Sequence, residues 1–95
     1  MVVVYVLLIY DIIADEGGPR VTRNIFKICK RYLTNVQKSV FEGNLTESEL
    51  LSLEYELNNH IRKDRDSVIT YKSRSERWVD KKFLGKKDNK TSNMF

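Results

Sequence analysis

Val2–Asp11 reads VVVYVLLIYD: nine apolar residues without a break, then a carboxylate. A short run rich in Val, Ile, Leu and Tyr reads as a strand buried on both faces. A hydrocarbon core of about 30 Å needs about 20 apolar residues, so this run is too short to cross a membrane. It also lacks the basic lead-in and small-residue cleavage site of a signal peptide. Asp11 therefore stands where a central strand leaves the core, a place that holds a carboxylate rigidly.

Ninety-five residues fit one domain, expected over residues 1–85, followed by a basic tail at 86–95 that is flexible or docked on a partner. The single cysteine, Cys29, excludes an intrachain disulfide framework and a Cys-based zinc site. A reducing cytoplasm fits that usage. The net charge of +4 is segregated by sign: residues 20–38 hold six bases and no acid, and residues 42–56 hold five acids and no base. Basic blocks set apart in this way point to a polyanion-binding surface, against the plainer reading of solvated helix faces.

Beyond Asp11 a loop with Gly17-Gly18 leads to Pro19, which suits a first helical turn. The glycines lack the spacing of a phosphate-binding loop and are expected to form a hinge or turn. The first helix is predicted over Pro19–Leu33. Val21, Ile25, Ile28, Cys29 and Tyr32 form its apolar stripe, and Cys29 on that stripe reads as a buried, inert thiol. The opposite side carries Arg20, Arg23, Lys27, Lys30 and Arg31, a basic ridge with no acid on the same helix. Asn35 is expected in a turn, and Val36–Glu42 (VQKSVFE) in a second strand that Gly43-Asn44 ends.

Thr46 and Glu49 form a capping box at the start of a second helix, with Leu45 and Leu50 in staple positions. Leu50, Leu53, Leu57 and Ile61 continue its buried face, while Glu47, Glu54 and Glu56 make its outer face acidic. His60, the only histidine, falls in its last turn and has no neighbouring Cys or second His to complete a zinc site. Ser67–Lys72 is a third strand and Arg77–Leu84 a more polar fourth. Pattern alone thus gives the order βαβαββ. The expected fold is α+β: two helices on one face of a four-stranded, mainly antiparallel sheet, with strand order open.

Two helices cover one sheet face, yet the first strand is apolar on both parities. A second copy of the chain is the commonest way to cover the other face, which predicts a homodimer through the sheet. Two copies of Asp11 can then meet near a twofold axis and hold one Mg²⁺, with Mn²⁺ as a substitute, alongside water and phosphate oxygens. The plainer role of an Asp after a strand is to accept backbone N–H bonds in a turn.

Tyr10-Asp11-Ile12, Arg20-Val21 and Val36-Gln37-Lys38-Ser39-Val40-Phe41-Glu42 together resemble the signature of the CRISPR-associated Cas2 family, over roughly Val2 to Leu84. The resemblance implies a ferredoxin-like homodimer whose sheets face each other, and a metal-dependent endonuclease acting on RNA or DNA with Asp11 as metal ligand. It implies a role in spacer acquisition beside the Cas1 integrase, catalytic or as a DNA-binding scaffold. Arg20 and the ridge would contact phosphates, and Tyr10, Ser39 and Phe41 would line the site or the dimer interface. Two positions depart from the pattern: Asn35 stands where many members carry Arg, and Leu33 where many carry Gly. A toxin-type ribonuclease of related fold is a more distant alternative. An RNA-recognition module is disfavoured by the missing aromatic strand motif.

Overall fold

The computed structural model describes residues 2–85. The expected tail at 86–95 lies outside the described residues. The elements run β1 (Val3–Asp11), α1 (Gly18–Tyr32), β2 (Thr34–Gln37), β3 (Val40–Thr46), α2 (Glu47–Asn58) and β4 (Ser67–Ser73), followed by a single 3₁₀ turn at Glu76–Trp78. The sheet order is β2-β3-β1-β4, and each neighbouring pair is antiparallel. This is the ferredoxin-like βαββαβ arrangement.

Alternation along β1 explains the layering. Val6, Leu8 and Tyr10 share one parity and are buried together with Ile25, Ile28 and Cys29 of α1 and Leu50, Leu53 and Leu57 of α2. Phe41 of β3 lies opposite Leu8 and fills the middle of this core, with no exposed surface. Its ring meets Phe26 edge-on at 5.4 Å between centroids and stacks beside Tyr10 at 6.1 Å. The capping box at the start of α2 is complete: Thr46 N donates to Glu49 Oε1 at 2.8 Å and Glu49 N to Thr46 Oγ1 at 3.1 Å.

Two strand assignments read from the sequence are corrected. VQKSVFE is not one strand but a hairpin, with Lys38-Ser39 as the turn between β2 and β3. A two-residue turn leaves the alternation of the sequence undisturbed, so the pattern conceals it. Asn35 is not the turn residue; it lies in β2 and ties the hairpin together. Its Nδ2 lies 3.3, 3.2 and 3.2 Å from the carbonyls of Gln37, Lys38 and Val40, beside a bulge in the β2–β3 ladder. Strand β3 then continues through Gly43-Asn44 to Thr46 instead of ending there. Gly43 packs closely on Leu33: a Cβ at that position would come to 3.0 Å from Leu33 Cδ2, so the leucine would have to shift to admit one. The buried Leu33 side chain occupies the space that Gly43 leaves.

The second correction concerns Arg77–Leu84, which is not a strand. Ser75 Oγ accepts from Arg77 N at 3.2 Å and starts the 3₁₀ turn. The chain then runs irregularly over the outer sheet face, where Lys81–Leu84 border a shallow hollow with Leu7, Val36, Val40 and Glu42. Lys81 Nζ pairs with Glu42 Oε2 at 2.6 Å, and Tyr5 donates its hydroxyl to Glu42 Oε1 at 2.5 Å. Burial alone would raise the Glu42 carboxyl, but Lys81 and Tyr5 outweigh it and hold its pKa below the usual value. The chain thus covers part of its own second face. Val3, Ile69 and Tyr71 stay open there, the last two 49% and 58% exposed.

Candidate functional site

Asp11 ends β1 on the outer parity, opposite Ser67 of β4, and its side chain is exposed. The backbone around it is held from both sides. Tyr10 N donates to Ser39 O at 3.1 Å, which ties the β2–β3 turn to the residue before Asp11. Ser39 is half-buried and therefore belongs to the same end of the sheet. Tyr10 and Phe41 do not line this site. Both are buried on the helix-covered face, the opposite side of the sheet from Asp11. Burial pushes the Tyr10 hydroxyl up to about 12, so it stays neutral and exchanges no proton near neutral pH.

The loop after Asp11 is not a loose hinge. A Cβ on Gly18 would lie 2.4 Å from the carbonyl oxygen of Ile13, so only glycine permits this approach of helix start to loop. The same loop is bound by an ionic cluster. Arg62 pairs with Asp15 at 2.6 Å and with Asp66 at 2.8 Å, and Arg65 pairs with Asp15 at 3.2 Å. The Asp66 side chain is fully buried, and its hydrogen bonds from Arg62 hold its carboxyl far below the usual carboxylate range. The legible signal was the four-residue spacing of Arg62 and Asp66 directly before a strand, although nothing local reveals that Asp15 and Ile13 are their partners.

Along α1, Arg20, Arg23, Lys27 and Lys30 are exposed, and among the described residues none of them makes an ion pair. Lys30 Nζ lies 5.8 Å from the Phe26 ring centroid. Arg31 differs: it pairs with Glu56 of α2, which also accepts from the Tyr32 hydroxyl. One acid expected on the outer face of α2 is therefore turned toward α1, and the ridge loses one of its five free cations. His60 lies just beyond α2 and borders a groove with Asn24, Lys27, Ile28 and Arg31, apart from any cluster that could bind metal. Cys29 is fully buried, and burial pushes its thiol up to about 12, so it is no nucleophile.

Among the described residues no group of three or more His, Cys, Asp or Glu is gathered for a metal. The described residues of a single copy therefore form no closed cage. Asp11 contributes one hard carboxylate on an exposed, rigid strand end, which fits Mg²⁺ held by one or two carboxylates with water and phosphate oxygens. Among the described residues no helix is long and apolar enough to cross a membrane.

Comparison with known proteins agrees with this geometry. Residues 4–81 match the family model described as CRISPR associated protein Cas2. A protein of Fusobacterium nucleatum named CRISPR-associated endoribonuclease Cas2 is 53% identical over 89 residues, covering 94% of this chain and 84% of the relative. A protein of the same name from Methanothermobacter thermautotrophicus is 42% identical over 85 residues, covering 90% and 88%. The crystal structure of Streptococcus pyogenes Cas2 at pH 6.5 superposes with a TM-score of 0.73 at 31% identity, covering 85% of this chain and 99% of that one. With a family match spanning most of its length and the ferredoxin-like order now in place, the chain belongs to the CRISPR-associated protein Cas2 family.

Proposed function

We propose that this chain is an endoribonuclease that works as a homodimer, with Asp11 of each copy at a shared Mg²⁺ site; Mn²⁺ would serve in its place. The observation that carries this reading is the exposed Asp11 carboxylate at the end of β1, on the same sheet face as the open apolar residues Ile69 and Tyr71. Joining two such faces buries Ile69 and Tyr71 and brings the two strand ends together. Mg²⁺ held there supplies a Lewis acid that polarises a phosphate and lowers the pKa of a bound water. The protein's part is to orient the carboxylates through β4 pairing and the Tyr10–Ser39 bond, and to draw the polyanion along α1 through Arg20, Arg23, Lys27 and Lys30. The same parts would act on DNA.

A second reading is a non-catalytic DNA scaffold beside the Cas1 integrase in spacer acquisition, in the cytoplasm. The unpaired cation row favours it, because that row lies on the helix layer while Asp11 lies on the opposite sheet face. One experiment separates the two. Asp11→Ala is expected to lower Mg²⁺-dependent cleavage of single-stranded RNA, or of duplex DNA, by at least about 100-fold while leaving binding intact. Replacing Arg20, Arg23 and Lys27 by Glu should weaken binding and reduce the salt slope by about 2 for single strands. Cleavage unchanged in a folded Asp11→Ala protein would leave only the scaffold.

A further inference from the structure

We propose that Arg62 and Asp66 are positioning residues for Asp11: together they grip the backbone two residues beyond it and set where its carboxylate stands. The proposal rests on the reading of Asp11 as a metal ligand. The grip is closed on itself. Asp66 Oδ1 accepts from Ile13 N at 3.1 Å, and Arg62 Nη2 donates to Ile13 O at 3.1 Å. One ion pair thus meets both backbone polar groups of Ile13, whose carbonyl also accepts from Asp15 N at 2.9 Å. That pair is in turn locked by three bonds, from Arg62 Nε and N to Asp66 Oδ2 at 2.8 and 3.0 Å, and from Nη2 to Oδ1 at 2.9 Å. Arg62 Nη1 reaches on to Asp15 Oδ1 at 2.6 Å, and Gly17 N-caps the helix that follows.

Position in the sheet gives the grip its purpose. Asp66 directly precedes Ser67, the residue paired with Asp11 in the β1–β4 ladder. The two strands are therefore joined by backbone pairing up to Asp11 and by this ion pair just after it, leaving only Ile12 between. A buried ion pair is a poor way to gain stability, since well-packed apolar residues of similar volume often do as well. It is a good way to fix geometry, and a metal shared between two chains tolerates a ligand displacement of only about 0.5 Å. Outer partners of metal ligands are commonly worth about 10–100-fold in metal affinity.

The test is Mn²⁺ binding to the full-length chain, read from the electron paramagnetic resonance signal of free Mn²⁺, with thermal unfolding recorded in parallel. Asp66→Asn is expected to weaken Mn²⁺ binding about tenfold, and Arg62→Lys, which keeps the charge but not the fork, by a smaller factor. Leu53→Ala, on the buried face of α2, should lower the melting temperature without moving Mn²⁺ affinity. Unchanged Mn²⁺ affinity in folded Asp66→Asn overturns the positioning role while leaving Asp11 as ligand, and so does an equal loss in Leu53→Ala. Should Asp66→Asn not fold, Arg62→Lys decides on the same criterion. If the unaltered chain takes up no Mn²⁺, or Asp11→Ala takes up as much, the metal reading itself fails and the positioning role falls with it.

Discussion

Strand β1 presents the two faces of the sheet side by side, and they obey different rules. On the helix-covered face, Val6, Leu8 and Tyr10 meet Phe41, Ile25 and Leu53 with almost no exposed surface. On the other face, Tyr5 is tied to Glu42 beneath the chain's own C-terminal stretch, while Ile69 and Tyr71 of the neighbouring strand remain open. One face is filled by the chain itself and governs whether it folds. The other is left unfinished and governs what the folded chain meets. Asp11 belongs to the unfinished face, so under the proposed function its metal site and the surface that meets a second copy are parts of one arrangement.

That contrast can be broken most sharply in the core. Phe41→Ala should cost about 3–5 kcal/mol in urea unfolding, a large part of the total stability of a domain this size. A loss below about 1 kcal/mol would show that the inner face does not carry the fold. Replacing Ile69 and Tyr71 together by Lys tests the outer face. Light scattering should then give half the dimer mass, with the circular dichroism of the folded chain retained. A dimer that persists would move the interface elsewhere.

The smallest effect is expected from the ion pair that flanks Asp11. Asp66 has a folded pKa held far below its unfolded value of about 3.9, chiefly by hydrogen bonds from Arg62. A depressed carboxylate stabilises the fold above its unfolded pKa, and that contribution drains away as pH falls toward the folded one. Unfolding midpoints should therefore decline from about pH 5 to pH 3, and Asp66→Asn should flatten the decline. An equal decline in both proteins would place the acid sensitivity in other carboxylates.

Much of this architecture can be read along the chain. The unbroken run of Val2–Tyr10, the apolar stripe of α1 and the Thr46–Glu49 box each declare themselves within a few residues. The β2–β3 hairpin did not, because its two-residue turn keeps the period of a single strand and lacks the Asn-Gly or Asp-Gly pair that marks such turns. Strand β3 was obscured by Gly43, which lies within the strand, close against Leu33, and does not end it. Asp11 stood out as a candidate because an acid follows an apolar run. The burial of Tyr10 and Phe41 depends on which parity the helices cover, a property of the whole sheet. The grip of Arg62 on Asp15 spans 47 positions and has no local signature.

The charge division between the helices has a consequence for how a polyanion arrives. The acids of α2, Glu49 and Glu54 beside a Glu47 that pairs with Lys72, share the helix layer with the uncompensated cations of α1. Such a layer carries a lateral electric dipole, and its field falls off over about 8–10 Å at ordinary ionic strength. Within that range the nucleic-acid strand of the proposed function would be turned as well as attracted, lying along α1 and away from α2 before any contact forms. Encounter would thereby be oriented as well as accelerated, and raising the salt should erase the orientation together with the rate.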